Sequence, residues 1–406
     1  MREIRLKLTH AIPWFDTTVA EWSAEARWLR WLTFLWLGFG LLILFSASYA
    51  VSVTEQGHGL HYVLVQMMWA TVGLMLFNRI VHTPLDRLLR GAGIVLLGLF
   101  GLVLLTLVPA LGVTVNGATR WLPLGPFMIQ PSELLKPCLV LQGAWLFGRW
   151  DRLTWGNRLA WLGVFVAIVG AILLQPNLST AAVCGSTLWL IALAAGLPYR
   201  YISLAALSGL AAATISVSIK TYQRQRIISF LNPWADPGDQ GYQLIQSLLA
   251  IGSGGLWGQG FGLSQQKLYS LPIQYTDFIF AVYAEEFGFI GSLLLLIFLA
   301  SYATVALLVA LRVTHPLHKL VAIGSMTILV GQSLLNIGVA SGVLPTTGLP
   351  FPMVSYGGSS MIASLATAAL LVRAAREIHT DHPLALPLPS RSRLRLLNQP
   401  LADKQD

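Results

Sequence analysis

Ten apolar runs, set apart by short polar or Gly/Pro-rich breaks, dominate the sequence at roughly 28–51, 62–81, 91–111, 131–150, 159–174, 178–196, 202–219, 287–311, 320–343 and 360–372. A stretch of about 18 to 25 apolar residues can cross the hydrocarbon core of a bilayer as one helix. Only 11% of the 406 residues are charged and 55% are hydrophobic, whereas soluble domains carry roughly a quarter charged residues. The expected fold class is therefore an all-α integral membrane protein with about ten transmembrane helices and a long outward loop between the seventh and eighth. The boundary between the fifth and sixth runs is soft, because only Gln175, Pro176 and Asn177 separate them.

Positive charge sets the expected orientation, since Lys- and Arg-rich loops stay on the cytoplasmic side. With the N-terminus inside, Arg2, Arg5, Lys7, Arg27 and Arg30 are cytoplasmic, as are Arg87, Arg90, Arg149, Arg152, Arg158, Arg200, Arg312 and Lys319. Arg373, Arg376, Arg391, Arg393, Arg395 and Lys404 put the C-terminus on the same side. Outside remain Arg120, Lys220, Arg224, Arg226 and Lys267, with Lys136 just inside a helix. The net charge of +9 thus reads as a topology signal and not as a nucleic-acid footprint. Three parts follow: a cytoplasmic segment 1–27, a membrane domain 28–378 and a cytoplasmic tail 379–406 that is Pro- and Arg-rich and too polar to pack a core. The leading polar stretch is too long for the n-region of a cleavable signal. Cys138 and Cys184 both fall in apolar runs and read as packing residues, with no disulfide or metal spacing.

Three outward loops carry the shifts in composition: 112–130, about 220–284 and about 344–358. Gly and Pro punctuate all three, so irregular or re-entrant backbone is expected there. Such backbone near a membrane must be buried in protein or line a wet cavity, because lipid cannot satisfy its amides. Three of them on one face imply a shared cavity. In the long loop, GYQLIQSLLAIG places Leu244, Ile245, Leu248 and Leu249 on one side at helical spacing, as in a short interfacial helix. The GSGGLWGQGFG that follows lacks the Lys-Ser/Thr of a phosphate-binding loop.

Asp277, in TDFIFAVYAEEFG, closes the long loop at the mouth of a membrane helix. One reading makes it a helix N-cap, a role Thr276 fills equally well. The other makes it a general base, since a carboxylate held at an apolar boundary tends to have a raised pKa. Glu285 and Glu286 lie too far along the helix to pair with it and read as bundle-facing polar residues. In QPSELLKP, Pro131 suits the first helical position and Glu133 the first turn. Lys136 shares the face of Glu133 at i, i+3, and a lysine buried in a membrane helix costs about 2.5 to 3.5 kcal/mol. A structural pair and a substrate-facing cation both fit it. Arg120 and Trp121 read either as an interfacial anchor or as a phosphate-binding guanidinium with a sugar-stacking indole. Arg224, Arg226 and Lys267 add outward charge that could neutralise a pyrophosphate. Gln332 and Asn336, four apart in one span, read as interhelical hydrogen-bond donors. One base and a group of cations suffice to transfer a sugar from a lipid pyrophosphate. Its leaving group needs charge neutralisation and no proton, so the second carboxylate of glycoside hydrolysis is dispensable.

NGATRW, QPSELLK, QPNLSTA, GYQLIQSLLAIGSGGLWGQGFGLSQQK, TDFIFAVYAEEFGFIG and GLPFPMVSYGGSS, in that order, resemble the SEDS family (shape, elongation, division and sporulation). The QSLLAIGSGG…SQQK block and the long leader are more similar to its division branch than to its elongation branch. The resemblance implies a ten-helix peptidoglycan glycosyltransferase that polymerises lipid II on the outer face of the bacterial plasma membrane, at the septum. It implies a class B penicillin-binding protein and other divisome proteins as partners, membrane lipids around the chain, and no nucleic acid. Asp277 matches the family's essential acid and would deprotonate the acceptor hydroxyl. Trp121, Gln130, Glu133 and Lys136 match other functional positions. With Arg120, Arg226, Lys267 and Ser355 they make the expected substrate-binding set. The resemblance fixes no cofactor, and a divalent cation, Mg2+ or Mn2+, is left open. The family usually has Asp where Asn177 stands and Gly where Ser179 stands, so no acid is carried over there. Ile273, Gln274 and Tyr275 replace its Glu-x-His ahead of the TDF. A lipid II flippase, an elongation-type polymerase and a non-catalytic scaffold are the alternatives.

Overall fold

The computed structural model describes residues 16–378 apart from 116–117, 126, 240 and 270–273. Arg2, Arg5, Lys7, Ile273 and the tail cations from Arg391 onward lie outside the described residues. Helix makes up 75% of the described residues. α1 (Ala24–Gln56) starts on Ser23, whose hydroxyl accepts from the Ala26 amide, and stops at Gly57 in a left-handed conformation. α2 (His61–His82) and α3 (Leu85–Leu105) follow, broken at Pro84, which has no amide to continue a helix. α4 (Pro131–Phe147) begins with Pro131 at its first position and Glu133 in its first turn. α5 (Trp155–Leu174) and α6 (Leu178–Ala194) part at the expected Gln175–Asn177 break. The Asn177 side chain caps α6 by accepting from the Thr180 amide at 3.2 Å. Capping asks only for a side-chain oxygen, so Asn serves there as well as Asp.

α7 (Tyr199–Ile219) has one buried residue, Ile202. Its Leu204, Leu207 and Leu210 are exposed, as befits a peripheral helix in lipid. The long segment following α7 is more helical than its composition suggested. It contains α8 (Thr221–Leu231), α9 (Tyr242–Ser253) and a single turn Gln266–Tyr269. α9 is the expected short helix, but it packs on α10 (Ile279–Arg312) and buries Leu244, Ile245, Ser247 and Ala250, leaving Leu249 outward. α11 (Pro316–Met326) passes through a π-helical turn, Thr327–Gly331, into α12 (Gln332–Ala340). α13 (Gly358–Ala375) closes the described chain. It is almost wholly buried, packs on α1, α2, α4 and α11, and is built largely of Ala and Ser that let neighbouring backbones approach.

Among the described residues, eight helices are long and apolar enough to cross a membrane: α1, α2, α3, α5, α7, α10, the joined α11–α12 and α13. α4 and α6, at 17 residues each, correspond to the other two apolar runs. The first of the loops expected to face outward departs from the expectation of irregular backbone. It forms a small antiparallel sheet in which β1 (Val113–Val115) pairs with β2 (Ala118–Leu124) and β2 with β3 (Phe127–Ile129).

Candidate active site

Asp277 sits one residue ahead of the cap of α10. That cap is Phe278, with no side-chain hydrogen bond, so neither Asp277 nor Thr276 occupies the cap position left open to it in the sequence. The carboxylate instead faces two arginines, Arg226 from α8 and Arg120 from β2. Asp277 and Arg226 meet where Gly348 leaves the backbone bare. A Cβ on Gly348 would lie 3.4 Å from Oδ2 of Asp277 and 3.7 Å from Nη1 of Arg226, and its φ of +71° is one that glycine adopts freely. Burial pushes the Asp277 carboxyl above the ordinary carboxylate range, with Arg226 and then Arg120 pulling back less strongly.

Each arginine is itself held in place. Arg226 donates to the Thr346 carbonyl at 3.2 Å and to the Tyr222 hydroxyl, and its guanidinium lies 4.5 Å from the Tyr222 ring centroid. Arg120 donates to the carbonyls of Pro176 at 2.6 Å and Gln175 at 3.3 Å. Those carbonyls end α5, where the helix dipole is negative and favours a cation. Tyr222 also interacts with Arg120, so this one hydroxyl sits between the two guanidiniums. Tyr222 escaped the sequence reading because α8 lies in a stretch too polar to announce a helix. The signal available was its i, i+4 spacing from Arg226, which places both on one helical face.

A second polar centre lies deeper. Lys136 and Glu133 form the expected i, i+3 pair at 2.6 Å, with 1% and 2% exposure. Lys136 also donates to Oε1 of Gln332 at 2.8 Å. Its ammonium is thus engaged inside the bundle, which realises the structural half of its two readings. Gln130 precedes Pro131, and its amide donates to the Ser359 hydroxyl at 2.9 Å. Trp121 is half-buried in β2, opposite Val113. Ser355 is 2% exposed and its hydroxyl donates to the Thr276 carbonyl at 2.6 Å. It therefore holds the segment of the acid instead of presenting itself to a ligand.

Lys267 belongs elsewhere. It is 6% exposed, and its ammonium donates to Glu286 at 2.5 Å and to Ser46 at 2.9 Å. Glu285 accepts from the Ser264 hydroxyl at 2.5 Å and the Gln265 amide at 3.0 Å. The two glutamates face the bundle, as expected, and staple the loop to α10. Lys267 is thereby a structural partner and not an outward cation; the apolar surroundings of Glu286 demanded a counter-charge. Arg224 is exposed on α8.

Among the described residues, no three His, Cys, Asp or Glu side chains cluster as metal ligands. The carboxylate that could have contributed faces guanidiniums, which repel a cation. The donor set does not suit a protein-held Mg2+ or Mn2+.

Residues 27–380 match the family model for cell cycle proteins of the FtsW, RodA and SpoVE type. The chain is 56% identical over 365 residues to a Synechocystis sp. protein named "Probable peptidoglycan glycosyltransferase FtsW", covering 90% of this chain and 93% of that one. A solved chain from a peptidoglycan synthase complex, described as coordinating polymerization and crosslinking, superposes with a TM-score of 0.70 at 30% identity, covering 87% of this chain and 98% of that one. Thermus thermophilus RodA, a rod shape determining protein, superposes with a TM-score of 0.63 at 29% identity, covering 87% of this chain and 97% of its own. With its membrane domain matched from the first span to the last, this multi-pass membrane protein belongs to the FtsW/RodA/SpoVE cell cycle proteins, the SEDS family.

Proposed function

We propose that the chain is a peptidoglycan glycosyltransferase of the FtsW kind, polymerising lipid II into glycan strands at the outer face of the plasma membrane. The observation that carries the mechanism is one carboxylate, Asp277, facing two anchored guanidiniums, Arg226 and Arg120, beside the bare backbone of Gly348. The names of relatives up to 56% identical support the activity. Asp277 takes the proton of the acceptor sugar hydroxyl, and the freed oxygen pair bonds to the anomeric carbon of the donor. The bond from that carbon to the pyrophosphate oxygen breaks, and its electron pair leaves with undecaprenyl pyrophosphate. Arg226 and Arg120 neutralise the leaving anion, with donors beyond those engaged by backbone and Tyr222. A raised pKa makes Asp277 a stronger base than an ordinary carboxylate while leaving it titratable. Any Mg2+ or Mn2+ would arrive with the phosphates of the substrate.

Both termini face the cytoplasm in this account, because the cations of the leader, the even-numbered turns and the tail then lie inside. Association with a class B penicillin-binding protein at the septum is part of the same proposal. A structural relative from a peptidoglycan synthase complex supports it. A flippase would call for broken helices lining a central path. α10 does break, at Gly288, but loop amides of Gln259 and Gly260 take the carbonyls of Glu285 and Glu286 at 2.9 and 3.0 Å. The break is sealed by protein. The deciding experiment gives fluorescent lipid II to the purified chain and its penicillin-binding partner, with lipid II translocation followed in parallel vesicles. Glycan strands without translocation are expected; translocation without strands would replace the enzyme by a transporter.

A further inference from the structure

Three consecutive carbonyls ahead of α10 are captured by three donors from one neighbouring region. The Tyr275 carbonyl accepts from the Tyr356 amide at 2.9 Å. The Thr276 carbonyl accepts from the Ser355 hydroxyl at 2.6 Å, and that of Asp277 from Nδ2 of Asn336 at 2.8 Å. The same Nδ2 also donates to the Leu349 carbonyl at 2.9 Å, and the Ser355 hydroxyl accepts from the Phe351 amide at 2.8 Å. Each side chain therefore ties the segment of the acid to the 349–356 loop. One turn earlier on α12, Gln332 donates to the Pro350 carbonyl at 2.7 Å while accepting from Lys136. Gln332 and Asn336, four apart, project from one face of α12.

The orientation of Asn336 is informative. Its residue is 1% exposed and its Oδ1 finds no partner among the described residues. Turning the amide over would set that oxygen against two carbonyls, so the donor end is fixed by the carbonyls it serves. Leaving a buried acceptor unpaired is a cost that packing alone gives no reason to bear. The π-helical turn Thr327–Gly331 directly precedes this face and resets its phase by one residue.

Resting on the assignment of Asp277 as the base, we propose that Asn336 and Ser355 are positioning residues that latch the backbone of Asp277 to the 349–356 loop, with Gln332 carrying the latch on to the Lys136–Glu133 pair. The latch fixes where the carboxylate stands relative to Arg226 and Arg120. An acid displaced by about 1 Å loses much of its advantage in proton transfer. It also meets a different guanidinium field and titrates differently. Binding of a large lipid-linked substrate, which has contacts elsewhere, is little affected.

The test uses the full-length chain with its penicillin-binding partner and fluorescent lipid II, assayed across pH. The variants are Asn336→Leu, Ser355→Ala, both together, Ser355→Thr and Asp277→Asn. Each single loss is expected to lower kcat at least tenfold with KM within twofold, and to shift the acidic limb of the rate profile. The double variant falls well short of the product of the two losses, because both bonds hold one segment. Ser355→Thr, which keeps the hydroxyl, restores kcat and the limb. Ser355→Ala removes one oxygen outside any helix, so it keeps the test open should Asn336→Leu fail to fold. Unchanged kcat and limb, with lowered thermal stability only, would reduce these bonds to packing and overturn the latch. Should Asp277→Asn polymerise like the wild type, the base assignment falls and the latch with it. An inactive Asp277→Asn beside fully active latch variants overturns the latch alone.

Discussion

At Asp277 burial and two guanidinium fields act in opposite directions on one carboxylate, and burial outweighs Arg226 and Arg120. Its protonated form is therefore favoured more in the folded protein than in the unfolded chain. That contribution to stability is fully present below the unfolded pKa of about 4 and is lost as pH rises through the higher folded value. Asp277→Asn, permanently neutral, should thus raise the unfolding temperature at neutral pH and give no gain in acid. The rate of the wild type should climb with pH along a limb that lies above the ordinary carboxylate range. Removing the Arg226 charge as Arg226→Met should move that limb further up, and more than Arg120→Met does; an unmoved limb would mean another group titrates. Lys136 calls for a different measurement, because its role is internal. Lys136→Met leaves Glu133 buried and unpaired, and about 3 to 5 kcal/mol of stability should be lost. Adding Glu133→Gln should restore most of it. Calorimetry of the solubilised protein checks both, and equal losses in single and double variants would contradict the pairing.

At the scale of elements, the seam between α10 and the glycine-rich loop shows what hydropathy leaves out. The apolar run at 287–311 located the membrane part of α10, but the helix begins at Ile279. Glu285 and Glu286 read in sequence as bundle-facing polar residues, but not with named partners; in the fold they are 1% exposed and answered by Lys267 and Ser264. At Gly288 the backbone takes φ 65° and ψ −163°, a region open essentially to glycine. A Cβ there would stand 2.4 Å from the Gly258 amide nitrogen. Gly288→Ala should therefore cost about 1 to 3 kcal/mol and loosen residues 255–263. Thermal unfolding and faster proteolysis in that loop would reveal it; wild-type behaviour in both would show that the seam is not a constraint. The sheet of β1 to β3 was illegible for a related reason, since β1 and β3 are only three residues long and β2 carries Pro123, so no clear period shows. α8 was missed because polar residues outnumber apolar ones along TYQRQRIISFL. The Glu133–Lys136 pair, by contrast, was legible from spacing alone, because an apolar span makes any charge conspicuous.

For the whole molecule, the ten apolar runs were readable because a bilayer imposes a length and a polarity that sequence must meet. How the outward loops converge was not readable. It depends on Asp277 and Arg226 meeting at Gly348 and on the field of Arg120, drawn from residues as far apart in sequence as β2 and the 344–358 loop. The charge bias predicts that the convergence faces the outside of the cell. Trp234→Cys, at a position 63% exposed, should then react with a membrane-impermeant thiol reagent in intact cells, while Arg87→Cys should not. The reverse pattern would turn the site toward the cytoplasm. The central claim is narrower, and one comparison addresses it: fluorescent lipid II given to wild type and Asp277→Asn, each with the penicillin-binding partner and with partner binding verified. Glycan strands from the wild type and none from Asp277→Asn, at equal partner binding, are the predicted result. Strands of equal length and amount from both would contradict the assignment of Asp277 as the base.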